Sequence, residues 1–329
     1  MAKTTPEQLK TRLRGALAFP ITPYRNDGAV DLDGVRRNAA WLPGTGLAAI
    51  VAPSGTGELF GLSPDECCDV ARATVEAVAG RLPVIASVGY GPRVAADMAR
   101  AAEAAGADGI LVLPPYYGQP DPDGLVAYYR AVGEATALGI MPYARDAAAF
   151  TPQLAEQVAG AVPNLIAFKD GRADVRLFMR IREHVNERLG EDRLVWLGGV
   201  GDDLVGPYFA AGAVGFTSSL ACFWPEASVE LFRLASGGDY AGLAGYQERV
   251  VRPFYELRQR RRGFEVSVMK AAMELLGHPA GRPRAPLGQL SDADRADLRA
   301  LLERLDVPSA ASRGLTAGAP VAAGAEARA

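Results

Sequence analysis

Lys169 ends the apolar run Leu165-Ile166-Ala167-Phe168 in the stretch NLIAFKDG. The chain has 35 lysines and arginines together, yet only Lys3, Lys10, Lys169 and Lys270 are lysines. Arginine stays protonated in a protein, whereas a lysine desolvated among apolar side chains can lose its proton and become an amine nucleophile. Keeping an ammonium at this place, in a chain that otherwise uses arginine, points to imine formation with a ketone. A lysine snorkelling from the rim of a fold is the plain alternative. Tyr143 ends a second apolar run in GIMPYARD. Beside an imine its phenol could shuttle protons, and otherwise it is a ring that covers a cavity mouth. In APSGTGELFGLSPDE, Gly55, Thr56 and Gly57 form a flexible loop whose backbone N–H groups and hydroxyl can hold a carboxylate. Alone, such a loop reads equally well as a turn.

Other chemistries have little material. His184 and His278 are the only histidines, and His184 in RIREHVNERLG reads as an exposed residue on a charged helix face. A Ser-His-Asp triad is therefore disfavoured. Cys67, Cys68 and Cys222 have neither disulfide-framework nor zinc spacing, so no metal is expected. With 329 residues, 49% hydrophobic, 22% charged and a net charge of -3, the composition is that of a soluble globular protein. It offers no electrostatic case for nucleic acid or an anionic membrane. No apolar run is long enough to span a bilayer, and MAKTTPEQLKTRLRG lacks the apolar core of a secretory signal. A cytoplasmic protein is the expectation.

The elements that must position these residues alternate along the chain. Strands are expected at 16–21, 48–52, 84–88, 109–113, 139–143, 165–169, 194–197 and 214–217. Helices are expected at 31–43, 64–80, 92–106, 121–138, 151–160, 173–189, 202–211 and 225–236. Ser63-Pro64 and Thr151-Pro152 place a hydroxyl N-cap before a proline at the first helical position. Eight strand–helix units predict a (β/α)8 TIM barrel in the α/β class, whose strand ends gather the site on one face. A doubly wound sheet is second, because no GxGxxG follows the first strand. The expected organisation is a barrel over 1–237 with a short N-terminal helix, a C-terminal helical region over 238–306, and a disordered tail over 307–329.

Taken together, these motifs resemble the dihydrodipicolinate synthase / N-acetylneuraminate lyase superfamily, over about residues 10 to 305. Within it, FPITPYRNDGAVD, GTGELFGLSPDE, LPPYY, YARD, PNLIAFKDG and GFEVSVMKAAMELLGHPAGRPRAPLGQL are most similar to a branch of decarboxylating sugar-acid dehydratases. The resemblance implies that Lys169 forms a Schiff base, that Tyr143 transfers protons, and that Gly55 and Thr56 hold the keto-acid carboxylate. Arg145 is expected to pair with a substrate carboxylate, and Ser218 at the end of the eighth strand to touch the substrate. Synthases of the superfamily have two threonines before Gly-Glu where this chain has Gly55-Thr56. The branch reads Asn-Arg-Asp where this chain has Ala144-Arg145-Asp146, and GGVGDD at 198–203 also departs from its usual wording.

The function implied is loss of water and CO2 from a keto-acid sugar through the lysine imine, with no metal or organic cofactor. A homo-oligomer is expected, a tetramer being what the family suggests. Two alternatives stay open: a class I pyruvate-dependent aldolase or synthase, and a barrel that binds keto acids without catalysis.

Overall fold

A computed structural model describes residues 4–115, 120–145 and 148–315. Eight parallel strands close in sequence order: β1 (Gly15–Ala18), β2 (Ala49–Val51), β3 (Val84–Val88), β4 (Gly109–Val112), β5 (Gly139–Ala144), β6 (Ala167–Asp170), β7 (Val195–Gly198) and β8 (Gly215–Ser218). Pairing of β1 with β8 completes the barrel. Every strand residue is buried, so the strands read as short apolar runs without alternation. All eight expected strands are present. β1 is shorter than expected because Pro20, just beyond it, has no N–H to donate to a ladder.

The helices before and around the barrel are α1 (Pro6–Arg12), α2 (Leu32–Ala40), α3 (Pro64–Val78), α4 (Pro92–Ala104), α5 (Pro122–Glu134), α6 (Pro152–Ala161), α7 (Val175–Leu189), α8 (Val205–Ala210) and α9 (Pro225–Ser236). The Ser63 hydroxyl accepts from Glu66 N while the Glu66 carboxylate accepts from Ser63 N, a complete capping box. Thr151 accepts from Leu154 N in the same way. α1 packs under the barrel, where β4 and β5 both begin on glycine. A Cβ at Gly109 would lie 2.5 Å from Leu9 Cδ2, and one at Gly139 would lie 3.5 Å from Pro6 Cα.

Beyond the barrel come α10 (Tyr240–Tyr246), a π-helical segment at Gln247–Val251, then α11 (Arg252–Gln259), α12 (Phe264–Leu275) and α13 (Asp292–Arg304). They share a core with the barrel: Phe254, Val268 and Met269 cluster with Ile50, Phe216 and Phe223. The chain after α13 is packed at first. Val307 and Ala310 are buried, while Arg313 pairs with Glu226 and lies over the Trp41 ring. The disorder expected from 307 therefore does not hold for 307–315, which are packed, and residues 316–329 lie outside the described residues. So do Tyr116, Tyr117 and Asp146 of the LPPYY and YARD motifs.

Both histidines are less exposed than their sequence context suggests. His184 is half-buried and bonds Glu156 at 2.6 Å, and His278 is buried against Trp41 with its pKa pushed down to about 4 by desolvation. The three cysteines are free. No described helix is long and apolar enough to cross a membrane.

Candidate active site

At the C-terminal ends of the strands the barrel opens into a cavity of about 590 Å3. Gly55, Thr56, Tyr143, Arg145, Lys169 and Ser218 all line it, so residues from four strand ends meet in one place. Lys169 on β6 and Tyr143 on β5 are direct register partners. The Lys169 Nζ lies 3.0 Å from the Tyr143 ring centroid and 5.2 Å from that of Phe19, and it donates to the Gly199 carbonyl at 3.3 Å. Burial holds the amine well below the usual lysine value; the nearby Arg145 guanidinium lowers it further and Asp170 opposes.

Two glycines make this packing possible. A Cβ at Gly199 would come within 2.6 Å of Lys169 Cγ and 2.5 Å of the Asp170 carbonyl. A Cβ at Gly171 would collide with the Tyr143 ring edge. The glycine of FKDG and the second glycine of the GG pair at 198–199 are thus needed for close approach rather than for turns. Asp170, next to the lysine, is fully buried. It accepts from the Tyr208 hydroxyl at 2.5 Å and from Arg172 N at 3.0 Å, which fixes the backbone where β6 ends.

The Tyr143 hydroxyl donates to the Gly199 carbonyl at 3.4 Å and accepts from Arg145 Nη1 at 3.0 Å. A guanidinium there compensates negative charge on the phenol oxygen whenever the phenol gives up its proton.

The glycine loop after β2 is not slack. Glu58 N and Leu59 N donate to Gly55 O and Ser54 O, and the Thr22 hydroxyl holds Gly57 O at 2.7 Å. A Cβ at Gly57 would meet Pro20 O and Ser54 N at 3.1 Å, whereas one at Gly55 would meet nothing within 4 Å. Packing therefore demands glycine at 57 and not at 55. Glu58 turns back in the left-handed region, at φ 59°, and its buried carboxylate pairs with Lys270 of α12 at 2.6 Å. Arg284 N donates to the same carboxylate at 2.8 Å. This pair ties the C-terminal helices to the loop. Burial lowers Lys270 to about 8, opposed by Glu58.

Ser218 lines the cavity, but its hydroxyl is occupied by Ser228 at 2.7 Å and Ala221 N at 3.1 Å. The hydroxyl of Ser54, by contrast, is buried without a partner among the described residues. Sequence reasoning missed Ser54, Asp170, Gly199, the Glu58–Lys270 pair and the cavity wall formed by Tyr255, Arg258, Gln259 and Glu265. The rarity of lysine was a signal for Lys270. Arg258 sits in ELRQRRRG, a run that reads as a solvated charged face, and nothing in the sequence sets it apart.

Fold and site define a (β/α)8 barrel whose mouth is completed by C-terminal helices and holds a desolvated lysine. The chain belongs to the dihydrodipicolinate synthetase family, whose model matches residues 12–305. Two whole-length relatives are both named "Probable 5-dehydro-4-deoxyglucarate dehydratase". One, from Saccharopolyspora erythraea, is 39% identical over 308 residues, covering 93% of this chain and 98% of that protein. The other, from Ralstonia nicotianae, is 38% identical over 308 residues, covering 93% and 97%. The crystal structure of dihydrodipicolinate synthase from Bacillus clausii superposes with a TM-score of 0.84 at 31% identity, covering 91% of this chain and 99% of that one.

Proposed function

We propose that this protein is a decarboxylating dehydratase, a lyase that converts 5-dehydro-4-deoxy-D-glucarate to 2,5-dioxopentanoate, water and CO2 through an imine on Lys169. The desolvated Lys169 amine carries the lysine chemistry, and the whole-length likeness to relatives named as that dehydratase carries the substrate.

The amine attacks the ketone, and loss of water leaves an iminium that acidifies the adjacent CH2. Gly55 and Thr56 hold the neighbouring carboxylate through the loop N–H groups and hydroxyl. Proton loss from the CH2 gives an enamine, whose electron pair expels the β-hydroxyl as water once that oxygen is protonated. Tyr143, bridged to Arg145, is the group placed to take and return these protons. The product of this step is a conjugated iminium. Breaking the bond to the distal carboxylate sends its electron pair into that conjugated system and releases CO2. Reprotonation and hydrolysis then free the semialdehyde and the amine. One electron sink serves both cleavages, so the scheme needs no added cofactor.

A synthase of the same family remains the second reading, but the open space at Gly55 argues against it. A second threonine would fit there and is absent, so the loop lacks the hydroxyl that the synthases carry at this position. The proposal includes a cytoplasmic homo-oligomer, a tetramer as in the family, which light scattering would test.

The deciding experiment supplies the purified protein with 5-dehydro-4-deoxy-D-glucarate. CO2 and 2,5-dioxopentanoate should appear in equal amounts, the latter counted by an NADP-linked aldehyde dehydrogenase. No pyruvate should be detected with lactate dehydrogenase. Pyruvate without CO2, from any hydroxy-keto acid, would overturn the dehydratase reading and favour an aldolase.

A further inference from the structure

Three arginines face the cavity, and they differ in what their donors already hold. Arg284 is fully engaged: it grips Glu66 with two nitrogens at 2.8 and 2.6 Å, and it also donates to the Gly61 and Gly28 carbonyls. Arg145 is committed to the Tyr143 hydroxyl. Arg258, on α11, is different. Its Nη1 donates to the neutral Ser219 hydroxyl at 2.9 Å, and its Cζ lies 4.4 Å from the Tyr255 ring centroid. Its Nε is buried and donates to nothing among the described residues. Tyr255, then the Glu265 and buried Asp202 carboxylates, favour its charged form, while the Asp202 carboxylate accepts from the Tyr255 hydroxyl at 3.2 Å. A buried guanidinium N–H without an acceptor is costly unless something else supplies one.

We propose that Arg258, together with the Ser219 hydroxyl, receives the distal carboxylate of a keto-diacid, and is the residue by which this site selects dicarboxylic over monocarboxylic 2-keto acids. The proposal deepens the dehydratase reading and rests on it for the identity of the natural substrate. Its geometry follows from the barrel. Lys169 is on β6 and the carboxylate-holding loop follows β2, on the far side of the ring of strands. Ser219, directly after β8, lies between them, and Arg258 is anchored on it. A six-carbon chain with its keto carbon on Lys169 and its first carboxylate at Gly55–Thr56 has its remaining end free to turn along the β7–β8 wall. There it meets a planar fork of donors, which suits a carboxylate better than a point charge does. Asp203 and Glu265 share this wall and supply acceptors for the hydroxyls along the chain. Fixing both ends also sets the torsion about the bond that is to break. That bond must stand across the plane of the conjugated iminium for its electrons to enter the sink.

The test measures imine formation rather than turnover. Borohydride trapping at Lys169 is titrated with 2-oxoadipate, a six-carbon keto-diacid, and with 2-oxohexanoate, which lacks the distal carboxylate. Wild type should trap 2-oxoadipate at lower concentration. In Arg258→Gln its half-saturating concentration should rise about 10- to 100-fold, the scale of one charged hydrogen-bonded contact, while that of 2-oxohexanoate shifts less than about threefold. Arg258→Lys should lie between, since it keeps the charge and loses the fork. Trapping of pyruvate reports whether each variant retains a folded site. Equal losses for both six-carbon acids would make Arg258 a structural residue, and a wild type indifferent to the distal carboxylate would overturn the proposal outright. A wild type that prefers 2-oxoadipate yet releases no CO2 from the hydroxylated diacid would instead remove the dehydratase reading and leave this inference standing.

Discussion

The Lys169 amine rests on the face of the Tyr143 ring, 3.0 Å from its centroid, and both side chains donate to the single carbonyl of Gly199. An aromatic face by itself favours the ammonium form. Burial works in the opposite direction and is the larger effect, so the amine is held well below its usual pKa. The amine and the phenol ring are therefore in contact with their strands in register, and an imine formed on Lys169 would lie within reach of the phenol.

Lys169→Met should abolish both turnover and borohydride trapping while melting at or above the wild-type temperature. The change removes a buried amine and keeps an unbranched side chain of similar length. Lys169→Arg, which keeps a charge but cannot form an imine, should be equally inactive. Mass spectrometry after reduction with pyruvate gives the readout; turnover by either folded variant would falsify the imine mechanism.

Tyr143→Phe retains the ring against which Lys169 packs and removes only the hydroxyl shared by Arg145 and Gly199. A loss in kcat of about 10²–10⁴-fold is expected for a proton-transfer group. Slow trapping of pyruvate should persist. A loss below about threefold on that scale would leave Tyr143 as a lining residue.

Gly199→Ala and Gly55→Ala separate a glycine needed for packing from one that is not. A methyl at 199 meets Lys169 Cγ and the Asp170 carbonyl, so it should destabilise by about 1–3 kcal/mol and depress trapping. A methyl at 55 enters open space and should change stability by no more than about 0.5 kcal/mol. Paired thermal melts decide the matter, and equal shifts would remove the packing argument.

Lys270→Met strands the buried Glu58 carboxylate and should cost about 3–5 kcal/mol, much of it recovered by adding Glu58→Gln. The pair also has a pH signature. Lys270 is lowered to about 8 from 10.5, so between those values the unfolded chain holds a proton that the folded protein has released. Stability then rises with pH in that window. Wild type should gain on Lys270→Met from pH 8 to pH 10 in urea titrations; a lead that stays constant or shrinks over that range would show that Lys270 stays charged.

Millimolar EDTA should leave activity unchanged. Among the described residues no group of three or more His, Cys, Asp or Glu is arranged to hold a metal, and the imine supplies the electron sink. Activity lost to EDTA and restored by a divalent ion would point to a metal-dependent reaction.

The sequence by itself determined the barrel and singled out Lys169. Strands buried on both faces must be apolar throughout, so each of the eight shows as a short hydrophobic run, and the helix caps at Ser63 and Thr151 are local signals read over four residues. Lys169 stood out because a rare residue type interrupted such a run. What only the tertiary structure decided are relations between segments distant in the chain. Gly199 is required because of Lys169, 30 residues earlier. Glu58 is neutralised by Lys270 of α12, and the loop after β2 is pinned by Thr22, 35 residues before its Gly57 partner, where the sequence suggested slack. Ser218 lines the cavity, yet its hydroxyl is occupied by Ser228 of α9, packed behind it. Arg258 looks like any member of a basic run until α11 docks over β8 and buries its Nε. Periodicity and composition report burial along one segment, whereas desolvation, close approach and hydrogen-bond occupancy depend on which second segment arrives.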